Sequence, residues 1–160
     1  MLFRSLSKRS NAPGMRSGFA AGDAALLEKF LLYRTYHGSA MSIAVQRASI
    51  AAWNDEAHVR ENRRLYADKF AAVLPLLQDP LQAQKPEGGF YLWARTSIDD
   101  GEFARRLYRQ YNVLVLPGSY LARESGGVNP GSHHVRIALV APLEECREAV
   151  RRMMQMAMTL

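Results

Sequence analysis

Apolar residues recur along much of this chain at the spacing of one helix face. The clearest case lies within residues 55–77, where Tyr66, Phe70, Val73, Leu74 and Leu77 fall at i, i+4, i+7, i+8 and i+11. That stripe predicts a long helix, opened at the cap-like Asn54-Asp55 junction, with one buried side. Shorter helices are predicted over Ala24–Tyr36, with Leu27, Phe30 and Leu31 on one face, and over residues 41–53. His37-Gly38-Ser39 separates the two. Residues 99–110 read as a further helix. Pro142 opens the last one, at a position where its missing N–H costs nothing.

Strand patterning is sparser. Residues 2–5 read as the end of a strand entering a loop that holds residues 8–13, and residues 19–21 as a second short strand closed by Gly22-Asp23. After Asp79-Pro80 the style changes. Residues 81–85 and 90–94 are predicted strands joined by the turn-rich Pro86-Glu87-Gly88-Gly89. Residues 113–116 form a β-branched strand stopped by Pro117-Gly118, residues 125–132 a loop, and residues 134–140 a strand. In that last strand Val135, Ile137 and Leu139 share one face, and His134, Arg136 and Ala138 the other. The order after residue 80 is strand, strand, helix, strand, strand, helix, an α+β layer with helices against one sheet. Residues 1–54 have a different character, and the chain divides in expectation into 1–54 and 55–160.

Composition narrows the function class. The chain has 160 residues, 48% hydrophobic and 22% charged, with a formal net charge of +6. Its cations are scattered over helical stretches with acids close by, as at Arg60, Arg63 and Arg64 beside Glu56 and Glu61. That pattern describes solvated helix faces and not a nucleic-acid stripe. No apolar run approaches the roughly 20 residues of a membrane helix. The opening Met-Leu-Phe-Arg-Ser is too short and too soon polar for a signal peptide, so a cytoplasmic setting is expected. The single cysteine, Cys146, aligns with Leu143, Val150 and Met153 as a core residue. His133 and His134 are taken as strand neighbours whose rings point to opposite faces. His37 and His58 lack ligands at useful spacing, and no metal site is expected.

One run carries distinct chemistry: SLSKRSNAPGMRSGF, residues 5–19. A lysine attacks a carbonyl only after losing its proton, through desolvation or neighbouring cations. Lys8 has Arg4, Arg9 and Arg16 close in sequence. Ser5, Ser7 and Ser10 add hydroxyl donors, and Arg16 a fork suited to phosphate. A phosphate beside an imine-forming lysine is what pyridoxal phosphate requires. A basic, serine-rich surface loop fits the same composition. Ser5-Leu6-Ser7-Lys8 also matches the S-x-x-K of serine-nucleophile enzymes, but their S-D-N and K-T-G elements do not occur here.

Taken with three later stretches in order, GGFYLW (88–93), VLPGSYL (115–121) and HVRIALV (134–140), the run resembles the class I aminotransferases. These are fold-type I pyridoxal-phosphate-dependent enzymes. The stretches FLLYRTYHGSAM, AAWNDEAHVRENR and VLPGSYLARE are similar in particular to bacterial succinyldiaminopimelate transaminases.

The resemblance implies an α/β fold, here the C-terminal part of a fold-type I transferase: a remnant of the large cofactor-binding domain followed by a small α+β domain. It implies pyridoxal 5'-phosphate as cofactor and amino acids and 2-oxo acids as substrates, with glutamate as donor. It also implies a homodimer, with no nucleic-acid or membrane partner. Lys8 matches the lysine that binds the cofactor covalently and then moves a proton between the substrate and the cofactor. Ser5 and Arg16 match residues on the cofactor phosphate, with Ser7 assisting. Arg136 matches the arginine that takes the substrate α-carboxylate; by pattern alone it is a solvent-facing strand arginine. Tyr91 aligns with an aromatic position near the substrate, and by pattern alone reads equally as a core aromatic. Gly118 and Gly131 read as backbone devices. The part of such an enzyme that precedes the lysine is absent, so cofactor binding by this chain alone is doubtful. A cofactor-sensing regulatory domain and a non-catalytic packing fragment are the other classes compatible with the chain.

Overall fold

A computed structural model describes residues 1–38 and 40–160. Ser39, assigned to the break between two helices, lies outside the described residues. The chain separates into two compact units, Met1–Arg64 and Leu65–Leu160.

The first unit opens with a two-stranded antiparallel hairpin, β1 (Leu2–Ser5) and β2 (Gly18–Ala21), in which Ser5 faces Gly18. Between the strands lie a single helical turn, α1 (Leu6–Arg9), and a 3-10 turn at Pro13–Met15. Part of the stretch expected to be loop is therefore helical, because the Ser5 side chain caps it by accepting the Ser7 N–H at 3.0 Å. Helices α2 (Ala24–Tyr36) and α3 (Ile43–Asn54) follow, and α4 (Ala57–Leu77) runs across the unit boundary. Asp23 and Ser42 cap α2 and α3 with their side chains. The expected apolar face of α2 is present but uncovered: no residue of α2 is buried, and Leu31 is 67% exposed. The periodicity holds for a helix; within this unit Phe30 packs edge-on against Phe3 at 5.9 Å and Tyr33 stacks on His37 at 4.3 Å.

The second unit carries the core. Its sheet has the order β3 (Tyr91–Arg95), β5 (His134–Ala138), β4 (Leu116–Pro117), all antiparallel. Leu92, Ala94, Val135 and Ile137 turn inward onto α5 (Asp100–Tyr111), α6 (Leu143–Ala157) and the end of α4, where Phe70, Val73 and Leu77 are buried as the stripe requires. Cys146 joins this core, its thiol donating to the Ala141 carbonyl, and burial pushes its pKa up. It is a small apolar residue here and no nucleophile.

Three strand expectations change. Residues 81–85 form no strand. Leu81 and Ala83 are buried alternately, but Gln82 has φ 47° and the N–H groups of Leu81 and Ala83 both return to the Leu77 carbonyl. The alternation marks a chain wrapped over a helix end. Residues 113–115 are likewise unpaired, because left-handed Asn112 closes α5 and only Leu116 and Pro117 reach β5. Pro117 sits on the sheet edge, where a missing N–H is tolerated. His133 is not a strand residue: it has φ 57° and precedes β5.

What ties this unit together is a carboxylate. Asp100, 1% exposed, accepts the Ser119 N–H and Oγ–H at 2.9 and 2.6 Å and the His133 N–H at 3.1 Å. It thereby joins the start of α5, the turn after β4 and the entry to β5. Burial alone would raise its pKa, but these hydrogen bonds outweigh it and hold the carboxyl below its usual value. Beside it two backbones cross at Gly118 and Gly131, where a Cβ on Gly131 would stand 2.1 Å from the Gly118 carbonyl oxygen.

Two outcomes follow for denaturant unfolding. Asp100→Asn faces the same donors with an amide and should lose about 2 kcal/mol near neutral pH. Because the folded pKa is the lower one, this contribution is present above the unfolded pKa of about 3.9 and fades as pH falls through the folded value. The gap between wild type and variant should therefore close in acid; a gap that ignores pH would contradict the account. Gly131→Ala should cost at least about 2 kcal/mol, whereas Gly88→Ala, with nothing within 4 Å of a Cβ, should be close to neutral.

Candidate functional site

The candidate residues fall into two groups, one in each unit. The first is the loop closing the β1–β2 hairpin. Leu6 is fully buried and anchors it: its N–H donates to the Ser17 carbonyl, and its carbonyl accepts from Ser10 and Ala12. Ser17 and Ser49 hydroxyls share a buried hydrogen bond of 2.6 Å. On this support Lys8 stands exposed on α1. Ser5 Oγ donates to Ser7 Oγ at 2.9 Å, so the two hydroxyls lie side by side. Arg16 has φ 49° and ends the 3-10 turn, its N–H and its guanidinium both donating to the Pro13 carbonyl at 3.3 and 3.2 Å. Two residues further on, Gly18 lies opposite Ser5, so Ser5 and Arg16 sit at the same end of the hairpin. A Cβ on Gly18 would lie 2.5 Å from the Arg4 carbonyl oxygen, so the two strands can close here only on glycine. Two hydroxyls, a guanidinium and an amine on one short loop make a donor set suited to a phosphate and an aldehyde.

Three residues hold this loop in roles that the sequence did not assign to them. Arg9, taken in the sequence as a cation acting on Lys8, is engaged elsewhere. It pairs with Glu56, donates to the Ala52 carbonyl at 2.7 Å and covers the Trp53 ring at 4.7 Å. A cation on the last carbonyls of α3 is favoured there. His58 Nε2 meets Ser10 Oγ at 2.9 Å while its Nδ1 meets Asp55 at 2.7 Å. That contact lowers the Asp55 pKa, through the His58 hydrogen bond first and the Ala57 N–H second. Ser49 is the third. No local pattern marks Arg9, Ser49 or His58, since each acts across more than thirty residues of chain.

The second group lies on the outward face of the β3–β5 pair. Arg136 stands half-buried there, with its guanidinium carbon 4.5 Å from the centre of the Tyr91 ring, so the two form a cation–π pair. Trp93 faces Arg136 across the ladder and stacks on His134 with ring centres 5.5 Å apart. Tyr91 is not a core aromatic: its neighbours Phe90 and Leu92 are buried, and it shares a cleft of about 800 Å³ with Arg136. The His134 Nδ1 lies 2.8 Å from the Ser132 carbonyl, which fixes that nitrogen as a donor. The strand that carries Arg136 is held at its start by Asp100 through His133.

The model of the family described as aminotransferase class I and II matches residues 1–153. A probable aminotransferase of Mycobacterium tuberculosis is 36% identical over 150 residues, which cover 93% of this chain and 34% of that protein. An aminotransferase structure from Neisseria meningitidis superposes with a TM-score of 0.88 at 56% identity, covering 96% of this chain and 39% of that one. A structure described as a probable N-succinyldiaminopimelate aminotransferase from Thermus thermophilus gives a TM-score of 0.82 at 32% identity, covering 96% and 40%. The chain thus spans between a third and two fifths of the length of these relatives. Over that span its fold is that of the fold-type I transferases, whose aminotransferases use pyridoxal 5'-phosphate. From the lysine loop to the last helix, the chain belongs to the class I and II aminotransferase family.

Proposed function

We propose that this chain carries the cofactor lysine and the substrate-carboxylate arginine of an aminotransferase dependent on pyridoxal 5'-phosphate. The observation that carries the reading is the donor set of the hairpin loop, Ser5, Ser7, Lys8 and Arg16, in a chain of this family. The bound cofactor would supply an electron sink for charge developing at the substrate α-carbon. Ser5, Ser7 and Arg16 would hold its phosphate, the guanidinium in a charge-assisted contact and the hydroxyls as neutral donors. Lys8, exposed on a helical turn whose base is buried, would bind the cofactor aldehyde and afterwards take the α-proton as general base. Arg136 would grip the α-carboxylate, oriented by its stacking on Tyr91. Each of these groups sits on an element anchored from below, Lys8 by Leu6 and Arg9, Arg136 by the Asp100 tie.

For the substrate, we assign the succinylated amino-oxopimelate of lysine biosynthesis as acceptor, with glutamate as donor and 2-oxoglutarate as product. Likeness to the Thermus protein described as a probable N-succinyldiaminopimelate aminotransferase supports this choice. A cytoplasmic homodimer belongs to the same reading.

Incubation with pyridoxal 5'-phosphate followed by borohydride reduction and peptide mapping tests the site. The phosphopyridoxyl mass should appear on the Lys8 peptide and vanish in Lys8→Ala. Its appearance on Lys29, Lys69 or Lys85 instead would overturn the assignment. In transamination assays of the full-length enzyme across a panel of acceptors, the succinylated amino-oxopimelate should give the highest kcat/KM; a preference for aromatic oxo acids would remove the substrate assignment and leave the lysine in place.

A further inference from the structure

The cleft beside Arg136 holds more positive charge than one carboxylate needs. Lys85, Arg95 and Arg136 all line it, together with His134, and no aspartate or glutamate does. Among the described residues no carboxylate pairs with any of these three cations within 4.0 Å, although most other arginines of the second unit are held by glutamates, as Arg105 and Arg106 are by Glu102 and Arg151 and Arg152 by Glu148. The side-chain partner of Arg95 is a neutral one, Gln82 Oε1 at 3.4 Å, a distance that leaves the guanidinium available.

The sheet fixes the spacing of these charges. Tyr91, Trp93 and Arg95 on β3 and His134 and Arg136 on β5 all project from one face. Trp93 lies opposite Arg136, and Arg95 lies opposite His134. Arg95 is thus two residues, about 7 Å, along the ladder from the level of Arg136. Between them the Trp93 ring stacks on His134, and on the side away from Arg95 the Arg136 guanidinium is held over Tyr91. Trp93, 41% exposed, presents its ring to this cleft. Two cations that share a cleft with an aromatic ring suit a ligand with a carboxylate at each end and an apolar or amide stretch between.

We propose that Arg95, with Lys85, is a specificity-determining subsite for a second, distal carboxylate on the amino acid or oxo acid whose α-carboxylate is taken by Arg136. The inference rests on the reading of Arg136 given above. The ligand class is a dicarboxylate whose chain lies along Trp93. Binding needs no covalent step, so it can be read without turnover.

The test is titration calorimetry on the 160-residue chain with two probes, an N-succinyl amino acid with both carboxylates free, and the same compound with the succinyl carboxylate replaced by an amide. The free diacid should bind at least about tenfold more tightly than the monoacid with the distal amide, the gain expected of a charge-assisted contact. Arg95→Gln should erase that difference while leaving the monoacid unchanged, and Lys85→Gln should reduce it. Arg136→Gln should weaken the diacid and the monoacid alike. Failure of Arg136→Gln to weaken either ligand would overturn the α-carboxylate reading. Equal binding of diacid and monoacid, or an Arg95→Gln variant that retains the full difference, would overturn the distal subsite with Arg136 intact. Displacement of the diacid by inorganic phosphate at equal concentration would make the cleft a general anion trap and also overturn it.

Discussion

The second unit turns on a buried negative charge. Asp100 belongs to the first turn of α5, where the helix dipole already favours an anion, and it accepts hydrogen bonds from two segments distant in sequence. Ser119 brings in the turn after β4, and His133 brings in the entry to β5. Neither segment has enough apolar surface to fix itself: β4 is two residues long, and His133 is in a left-handed conformation before its strand begins. Without the carboxylate, these three donors would lose their shared acceptor. With it, β5 starts at a defined residue, and the register that puts Arg136 opposite Trp93 follows. The Gly118–Gly131 crossing serves the same end, since it lets the two segments approach to backbone contact.

The lysine loop solves a comparable problem with different means. An exposed amine with a defined direction needs a rigid base, and a single helical turn cannot supply one by itself. Leu6 provides the buried anchor below, and Ser5 caps the turn. Arg9 and Ser10 extend the grip to the end of α3 and the start of α4 through Trp53, Glu56 and His58. Neighbouring positions thus divide the labour: Leu6, Arg9 and Ser10 point into the protein, and Ser5, Ser7 and Lys8 present polar atoms at the loop surface.

The units differ in how far they enclose their apolar residues. The second buries a continuous core from Phe70 to Met156. The first buries Leu6 and Val59 among its apolar side chains and leaves Phe3, Leu31, Leu32, Tyr33 and Tyr36 exposed. Chemistry placed on the second unit is thus supported from beneath by packing. On the first it is supported by a small set of polar and cation–ring contacts.

Periodicity and motif together made much of this legible beforehand. Helix positions followed from the apolar stripes, with ends displaced by a residue or two where caps such as Asn112 decided them. The inward and outward faces of β5 were readable from alternation alone, because a strand has only two faces and Val135 and Ile137 took one of them, although the strand ends at Ala138 and Leu139 is buried just beyond it. The Lys8 run was legible because its chemistry is concentrated in fifteen consecutive residues, 5–19. Alternation misled at residues 81–85, where burial of Leu81 and Ala83 comes from a wrap around the end of α4 and not from a ladder. By itself the sequence determined the longer helices, the outward face of Arg136 and the composition of the lysine loop, since these depend on neighbours within a few positions. Only the tertiary structure decided that Arg9 serves α3, that Asp100 ties two loops, and that Arg95 and Arg136 share one acid-free cleft. Each of those facts is a contact between residues far apart in the chain, and local pattern carries no record of which distant partner a charge will meet.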